Sequence, residues 1–363
     1  MRLVVEHCGR LPTGPVSAET SRVPAPLGSA NVPGRHRYDV VGIGNALVDV
    51  IAHGADEFLG VHGLVKGAMT LIDTERAVYL YGAIGSGIEM SGGSAANTMC
   101  GLASLGGRGA YIGKVADDDL GRVFGHDLRA VGVAFHGPRP ADHVPTGRCI
   151  IVVTPDAQRT MNTFLGMSSL LVPDDVDDEV VASGKIVYLE GYLWDRPEAM
   201  AAYRKAARIA HEAGNKVSLT LSDSFCVERH RDAFLDLVAG DVDILFSNSE
   251  ELCSLYRTSS LETAVRAVQG HVEIAAITRG AEGSSIVTRD GTVHVGAEPV
   301  EEVVDTTGAG DLYASGFLYG LTSGRSLYEC GRLGSIAAAE VISHVGARPV
   351  TSLSRLASAS GIE

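Results

Sequence analysis

No apolar run in this sequence approaches the roughly 20 residues that a membrane-spanning helix needs. Metal and disulfide patterns are missing too. The six cysteines (Cys8, Cys100, Cys149, Cys226, Cys253 and Cys330) form no C-x-x-C, and the twelve histidines form no H-x-x-x-H cluster. Neither structural zinc nor a disulfide framework is expected. Scattered cysteines read instead as buried free thiols in a reducing, cytoplasmic setting. Excess positive charge is also lacking. Thirty basic residues against 44 acidic ones leave a formal net charge of −14, which argues against non-specific nucleic-acid binding and against docking on anionic membranes. It leaves room for an anionic ligand, because a local site can be positive on an acidic protein. No internal repeat and no linker divides the chain.

Hydrophobic residues make up 45% of the 363, enough for one large α/β domain or two small ones. Residues 1–37, rich in Pro, Gly, Ser and Ala and without periodicity, read as a disordered extension. From Tyr38 a strand–loop–helix pattern recurs. Strands are predicted at 39–44, 68–72, 110–115, 185–189, 216–221, 243–246, 273–278, 285–288 and 292–295, with a hairpin over 149–154 and 160–165. Helices are predicted at 94–105, 120–130, 197–212, 229–238, 250–256, 261–268, 310–321 and 327–343. Such alternation predicts a mostly parallel sheet covered on both faces, with ligands outside the carboxyl ends of its strands. Strands near 45–75 and 145–165 are candidates for a small separate sheet, and 351–363 for a C-terminal tail.

The most informative stretch is Val304-Asp305-Thr306-Thr307-Gly308-Ala309-Gly310-Asp311. The apolar run that follows reads as a buried helix, so Gly308, Ala309 and Gly310 form its N-terminal loop. Free N–H groups at a helix start attract anions, and glycine lets an anion come close. Asp311 then sets a proton acceptor beside that anion. An anion hole with a base is what phosphoryl transfer to a hydroxyl requires. Taken alone, the same octet also reads as an ordinary Gly-rich loop with an acidic first-turn residue.

Two near misses are set aside. Gly42-Ile43-Gly44-Asn45-Ala46-Leu47 lacks the third glycine of a dinucleotide fingerprint. Around Lys114, Arg108 and Val115 stand where a phosphate-binding loop needs Gly and Ser/Thr. Other motifs agree with the octet. Asn45 and Asp49, just past the first strand, offer an amide and a carboxylate for a vicinal diol, or an Asx turn or cap. Gly92 and Gly93 precede a helix carrying Asn97, either as a ligand loop or as a tight turn. Asn248 and Glu251 have capping-box spacing, and the same pair could hold magnesium-bound waters. Thr278, Arg279, Gly280 and Gly283 end a strand with a flexible loop where a nucleotide could lie.

The set GGSAAN at 92–97, N-x-x-E at 248–251, T-R-G-x-x-G at 278–283 and DTTGAGD at 305–311 resembles the ribokinase-like (PfkB-type) carbohydrate kinase family, from about residue 38 to 349. G-N-A-L-V-D at 44–49, Pro145-Thr146-Gly147 and the stretch from Arg159 to Asn162 are most similar to bacterial adenosine and nucleoside kinases. The resemblance implies a three-layer αβα sandwich with a mostly parallel central sheet and a small β-sheet lid, in one kinase domain over 38–350. It implies Asp311 as catalytic base, with Gly308, Ala309 and Gly310 as anion hole. Asn45, Asp49, Gly92, Gly93 and Asn97 match sugar-binding positions. Asn248 and Glu251 match a magnesium/phosphate motif, and Thr278, Arg279, Gly280 and Gly283 a nucleotide loop. Asp305 and Thr307 match backbone positions that often hold a monovalent cation beside the anion hole.

The expected reaction is transfer from ATP, with Mg2+ and a monovalent cation such as K+, to the 5′-hydroxyl of a nucleoside, foremost adenosine. Tyr192, Leu193 and Trp194, with Leu47 and Phe164, are candidates for the purine slot. Adenosine kinases of the eukaryotic type carry two aromatics where this chain has Tyr192-Leu193, which leaves base preference open. A sugar kinase of the same family is the alternative. A non-catalytic nucleoside-binding protein is disfavoured by the intact G-A-G-D. A monomer and a homodimer are both compatible with the sequence.

Overall fold

Val40, Val41 and Ile43 have no solvent exposure, the pattern of a strand covered on both faces. They sit centrally in the computed structural model, which describes residues 36–138, 144–156 and 158–362. The extension expected over 1–37 lies almost wholly outside the described residues.

The strands are β1 (Tyr38–Ile43), β2 (Leu47–His53), β3 (Met69–Leu71), β4 (Gly87–Gly92), β5 (Gly109–Ile112), β6 (Ala134–His136), β7 (Gly147–Val153), β8 (Arg159–Phe164), β9 (Gly184–Glu190), β10 (Lys216–Thr220), β11 (Ile244–Asn248), β12 (Ile274–Thr278), β13 (Ser284–Thr288) and β14 (Gly291–Val295). The helices are α1 (Asp56–Val61), α2 (Thr74–Ala83), α3 (Ser94–Ser104), α4 (Asp119–Ala130), α5 (Asp178–Ala182), α6 (Pro197–Glu212), α7 (Ser224–Gly240), α8 (Ser249–Leu255), α9 (Leu261–Val268), α10 (Ala309–Thr322), α11 (Leu327–Ile342) and α12 (Leu353–Ala359).

A nine-stranded sheet runs in the order β14-β13-β12-β11-β10-β9-β1-β5-β6. All its pairings are parallel except β12–β13 and β13–β14 at one edge. One face packs against α5 to α9 around Trp194, Tyr203 and Phe234. The other packs against α3, α4, α10 and α11 around Tyr111, Phe124 and Phe317. The sheet is mostly parallel and covered on both faces, as the alternating pattern predicts, and the whole is the ribokinase-like three-layer sandwich that the resemblance implies. From β1 the chain first builds towards β5 and β6, then crosses to β9 and the far side. The switch therefore lies where β1 meets β9, and the crevice at their carboxyl ends is the favoured ligand position.

The second sheet is five-stranded, in the order β3-β8-β7-β2-β4. The expected hairpin is β7 with β8. β2 and β3 fall within the expected 45–75 range, and β2 buries one face only. One strand escaped the sequence reading: residues 87–92 form β4, outside that range. The helix predicted at 229–238 starts earlier, with Asp223 capping Cys226 N–H, and breaks helical geometry at His230. In the expected tail, α12 packs Leu353 and Ala357 against α11. Among the described residues no helix is long and apolar enough to cross a membrane.

Tyr203 fastens α6 to the switch point. Its buried hydroxyl donates to the carbonyls of Ile43 (3.1 Å) and Glu190 (2.8 Å), the last residues of β1 and β9. Tyr203→Phe should leave these buried groups short of a partner and cost about 1–3 kcal/mol, read as a lower urea midpoint at unchanged slope. Wild-type stability would contradict this role.

Candidate active site

Glu190 ends β9 and is fully buried. Its Oε1 accepts from the backbone N–H (2.7 Å) and the side-chain amide (2.8 Å) of Asn45, and its Oε2 from the N–H of Ala95 (2.8 Å). One carboxylate thus joins the ends of β1 and β9 to the first turn of α3. Burial pushes its pKa up to about 7, partly opposed by those three donors. The sequence reading did not single out Glu190; its only signal was a lone acid closing an apolar strand. Asn45 is as engaged as Glu190, since its Oδ1 also accepts from Ser168 Oγ (2.9 Å). Its amide is therefore oriented by the scaffold, with one N–H of Nδ2 left for a ligand.

The tethered start of α3 faces the start of α10. Ser94 Oγ donates to Asp311 Oδ1 (2.6 Å), and Asn97 Nδ2 donates to Oδ2 (3.1 Å). Two predicted residues, Asn97 and Asp311, therefore meet across 214 positions. Gly308 caps α10 in the left-handed region, φ 81°, a conformation that costs a side-chain-bearing residue and turns the chain sharply into the helix. The Ala309 N–H reaches back to the Thr306 carbonyl (3.2 Å). The N–H groups of Gly310 and Asp311 have no acceptor among the described residues and form the open helix start. Desolvation raises Asp311 to about 6, with Asp49 adding to it and the Ser94 and Asn97 donors opposing.

Asp49 lies within β2, paired in register with Cys149, which pairs with Thr163. A Cβ on Gly92 would collide with the Asp49 carboxylate, so glycine there lets the carboxylate approach the backbone. Burial raises Asp49 to about 6, opposed by Arg348 and Arg159. On the same face lie Ile51, Ile151 and Met161, the next row of the register, and they cluster with Cys149 and Val153. A carboxylate thus borders an apolar wall. Arg159, on β8, forms an ion pair with Asp305 and donates to Thr307 Oγ1 (3.2 Å), tying the small sheet to the loop before α10.

The nucleotide motifs fall at neighbouring strand ends. Asn248 and Glu251 form a reciprocal capping box on α8. Each Glu251 oxygen already accepts an Asn248 donor, at 2.7 and 2.9 Å. That leaves lone pairs for water-borne protons but no bare carboxylate, a set that fits a magnesium ion held through its waters. Among the described residues no group of three or more His, Cys, Asp or Glu is placed to hold a metal directly. The Asp305 side chain is fully engaged, so a monovalent cation at these positions would have to be held by backbone carbonyls, as the resemblance implies. Asp305 Oδ1 accepts from Thr307 N–H (3.0 Å) and Oγ1 (2.7 Å), and its Oδ2 from Gly346 N–H (3.0 Å) and the Arg159 guanidinium. Thr278 ends β12, and Arg279 to Gly283 make the tight turn into β13, closed by Arg279 N–H on the Gly283 carbonyl (2.8 Å).

Of the purine-slot candidates, Tyr192 alone of its tripeptide borders the site. It is held by Ser222 (hydroxyl to carbonyl, 3.2 Å) and feels Asp223, Asp311 and Glu251. Leu193 and Trp194 are core, with Trp194 stacked on Phe234 at 5.7 Å. Phe164 lines a cavity of about 320 Å3 bordered by none of Asp49, Asn97 or Asp311. Leu47 packs towards Gly147. Lys114, from the rejected phosphate-loop pattern, is buried in an ion pair with Asp175 at 2.6 Å.

Asp49, Asp311, Glu190 and Glu251 all have raised pKa values, about 6 for the aspartates and about 7 for the glutamates, against ordinary values of 3.8 and 4.5. A carboxyl group that holds its proton more tightly when folded favours folding at low pH, and that contribution is lost as pH rises through the folded value. The unliganded protein should therefore lose stability from these groups between about pH 4 and 7. Asp311→Asn should be more stable than wild type at pH 8, with the gap closing by pH 4.5. Urea midpoints at the two pH values check this; no gain at pH 8 would contradict it.

Comparison with known proteins agrees with this geometry. The family model described as pfkB family carbohydrate kinase matches residues 68–353. The crystal structure of adenosine kinase from Sinorhizobium meliloti is 53% identical and superposes with a TM-score of 0.83, over 89% of this chain and 99% of the other. That of a probable sugar kinase from Rhizobium etli is 50% identical with a TM-score of 0.84, over 90% and 100%. The adenosine kinase of Saccharomyces cerevisiae is 27% identical over 329 residues, 85% of this chain and 95% of its own. The chain belongs to the pfkB family of carbohydrate kinases, phosphotransferases with an alcohol group as acceptor.

Proposed function

We propose that this kinase transfers the γ-phosphoryl group of ATP to the 5′-hydroxyl of adenosine, giving AMP, as a cytoplasmic purine-salvage enzyme. The observation that carries this reading is the adjacency on the small sheet of Asp49, suited to a ribose diol, and the apolar row Ile51, Ile151 and Met161, suited to a base. A bare sugar offers that row nothing to cover. The 53% identity to an adenosine kinase points the same way. The catalytic unit we assign runs over residues 38–350, with the small sheet as lid.

In this reading Asp49 accepts the two ribose hydroxyls and leaves the 5′-hydroxyl facing Asp311. Ser94 and Asn97 hold the Asp311 carboxylate in place, so little reorganisation is needed when it takes the proton. The alcohol is a weak acid, so the proton moves late, as the phosphorus–oxygen bond forms. Such general-base catalysis contributes roughly 10²–10⁴-fold. The Gly310 and Asp311 amides stabilise charge on the transferred group, one donor being worth on the order of 10²–10³ in kcat. Magnesium, held through water by Asn248 and Glu251, would neutralise phosphate charge. The Arg159–Asp305 pair keeps the small sheet down over the site, which excludes water.

An ADP-release assay with ATP and Mg2+ against adenosine, inosine, guanosine, cytidine, ribose and fructose tests the reading. Adenosine should give the highest kcat/KM; preference for a free sugar would overturn it. Asp311→Asn should fold, bind both substrates and lose about 10²-fold or more in kcat, whereas Asp49→Ala should mainly raise the acceptor KM. Wild-type kcat in the first, or an unchanged acceptor KM in the second, would refute those roles. Because both aspartates sit near 6, kcat/KM should fall below about pH 6, not pH 4, and more steeply than for one proton.

A further inference from the structure

We infer that Arg348 is the positioning residue of the acceptor site: it fixes the Asn97 amide as a donor to Asp311 and supplies the positive charge facing Asp49. This deepens the proposed function and rests on its roles for Asp311 and Asp49.

An asparagine amide can present either its oxygen or its nitrogen to a neighbour, and only the nitrogen suits a carboxylate. Arg348 Nε donates to Asn97 Oδ1 (3.3 Å), which leaves Asn97 Nδ2 for Asp311 Oδ2 (3.1 Å). Arg348 Nη1 donates to Ser91 Oγ (2.6 Å), and Ser91 is anchored by its own N–H (2.9 Å) and Oγ (3.0 Å) on Asp127 Oδ2. A chain of bonds thus runs from Asp127 through Ser91, Arg348 and Asn97 to Asp311. Without the guanidinium the amide is free to turn and set its oxygen against the Asp311 carboxylate.

The loop that carries Arg348 is held on both sides. Gly346 N–H donates to Asp305 Oδ2 (3.0 Å), while Val350 and Thr351 N–H donate to Glu340 Oε1 (2.9 and 2.6 Å). Ala347 packs so closely on Gly308 that a Cβ there would collide with it. The same loop therefore shapes the start of α10 and delivers the guanidinium. Arg348 Nη2 is buried and has no partner among the described residues, so the folded protein leaves one donor unspent.

The charged surroundings are few. Asp49 is faced by Arg348, Arg159 and Asp311, with the neutral Cys149 thiol beside it. Asp311 is faced by Ser94, Asn97 and Asp49, with Glu190, Glu251, Tyr188 and Tyr192 further round. The guanidinium comes to Asp49 by way of the end of β4: Ser91, which it holds, precedes Gly92, whose backbone lies against the Asp49 carboxylate, and its positive charge opposes the burial that raises Asp49. Removing it lets Asp49 rise further, so acceptor binding should fail at a higher pH than in wild type.

The test compares Arg348→Gln and Arg348→Lys with wild type in kcat, KM for adenosine and ATP, and the pH profile of kcat/KM. Arg348→Gln should raise the adenosine KM about tenfold or more, lower kcat, and move the acid limb up by about half a pH unit or more. The ATP KM should stay within about twofold. Arg348→Lys, which restores charge without the planar fork, should return the acid limb towards wild type while kcat stays low. Unchanged KM and acid limb in Arg348→Gln overturn the inference, as does lost activity that follows lost folded protein with the limb unmoved. Should Arg348→Gln not fold, wild-type kcat in Arg348→Lys overturns it. If wild type phosphorylates no acceptor, the functional reading itself has failed. The positioning claim then rests on 13C titration of Asp49 in the resting protein, where an unshifted Arg348→Gln, or Arg348→Lys if Gln does not fold, overturns it.

Discussion

A single buried carboxylate, that of Glu190, fixes where everything else in the site can be. Three N–H donors converge on it from the turn after β1 and the start of α3, and Tyr203 closes the same junction from behind. A charge so placed is costly unless satisfied, and here the cost is offset only when β1, β9 and α3 meet in one arrangement. That arrangement points Ser94 and Asn97 at Asp311. The Asp311 carboxylate is thus held from the opposite side of the crevice, not by its own helix.

The site concentrates carboxylates that resist ionisation, in a protein that is acidic overall. Burial raises both Asp49 and Asp311, and the Asp49 charge adds to the difficulty of ionising Asp311. Two arginines that the sequence reading gave no role, Arg159 and Arg348, supply the compensating charge. Each joins parts distant in sequence: Arg159 ties the small sheet to the loop before α10, and Arg348 ties the loop after α11 to the start of α3 and the end of β4. The stability given up at neutral pH is the reverse side of bases poised to accept protons near pH 6 to 7.

Much of this was legible in the chain. Long apolar strands and amphipathic helices announced the parallel sandwich, because burial on both faces leaves continuous apolar runs. Gly92, Gly93 and Gly308 announced close approaches and a left-handed cap, which few other residues tolerate. Motif order and family resemblance put Asn97 and Asp311 in one site, but not the hydrogen bond between them. What was hidden has a common cause. The edge strand β4 has exposed residues over half its length, so it lacks a burial pattern. Glu190, Arg159 and Arg348 are single charged residues whose importance comes only from partners far away in sequence. Trp194 and Leu193 looked like a base slot because core and pocket use the same residue types.

Glu190 is a buried, donor-saturated carboxylate that positions Asn45 and the start of α3. Side-chain 13C NMR titration of the resting protein tests this most directly. The account predicts that Glu190 titrates near pH 7 and Asp311 near pH 6. A Glu190 that titrates near 4.5, as an exposed glutamate does, would contradict it.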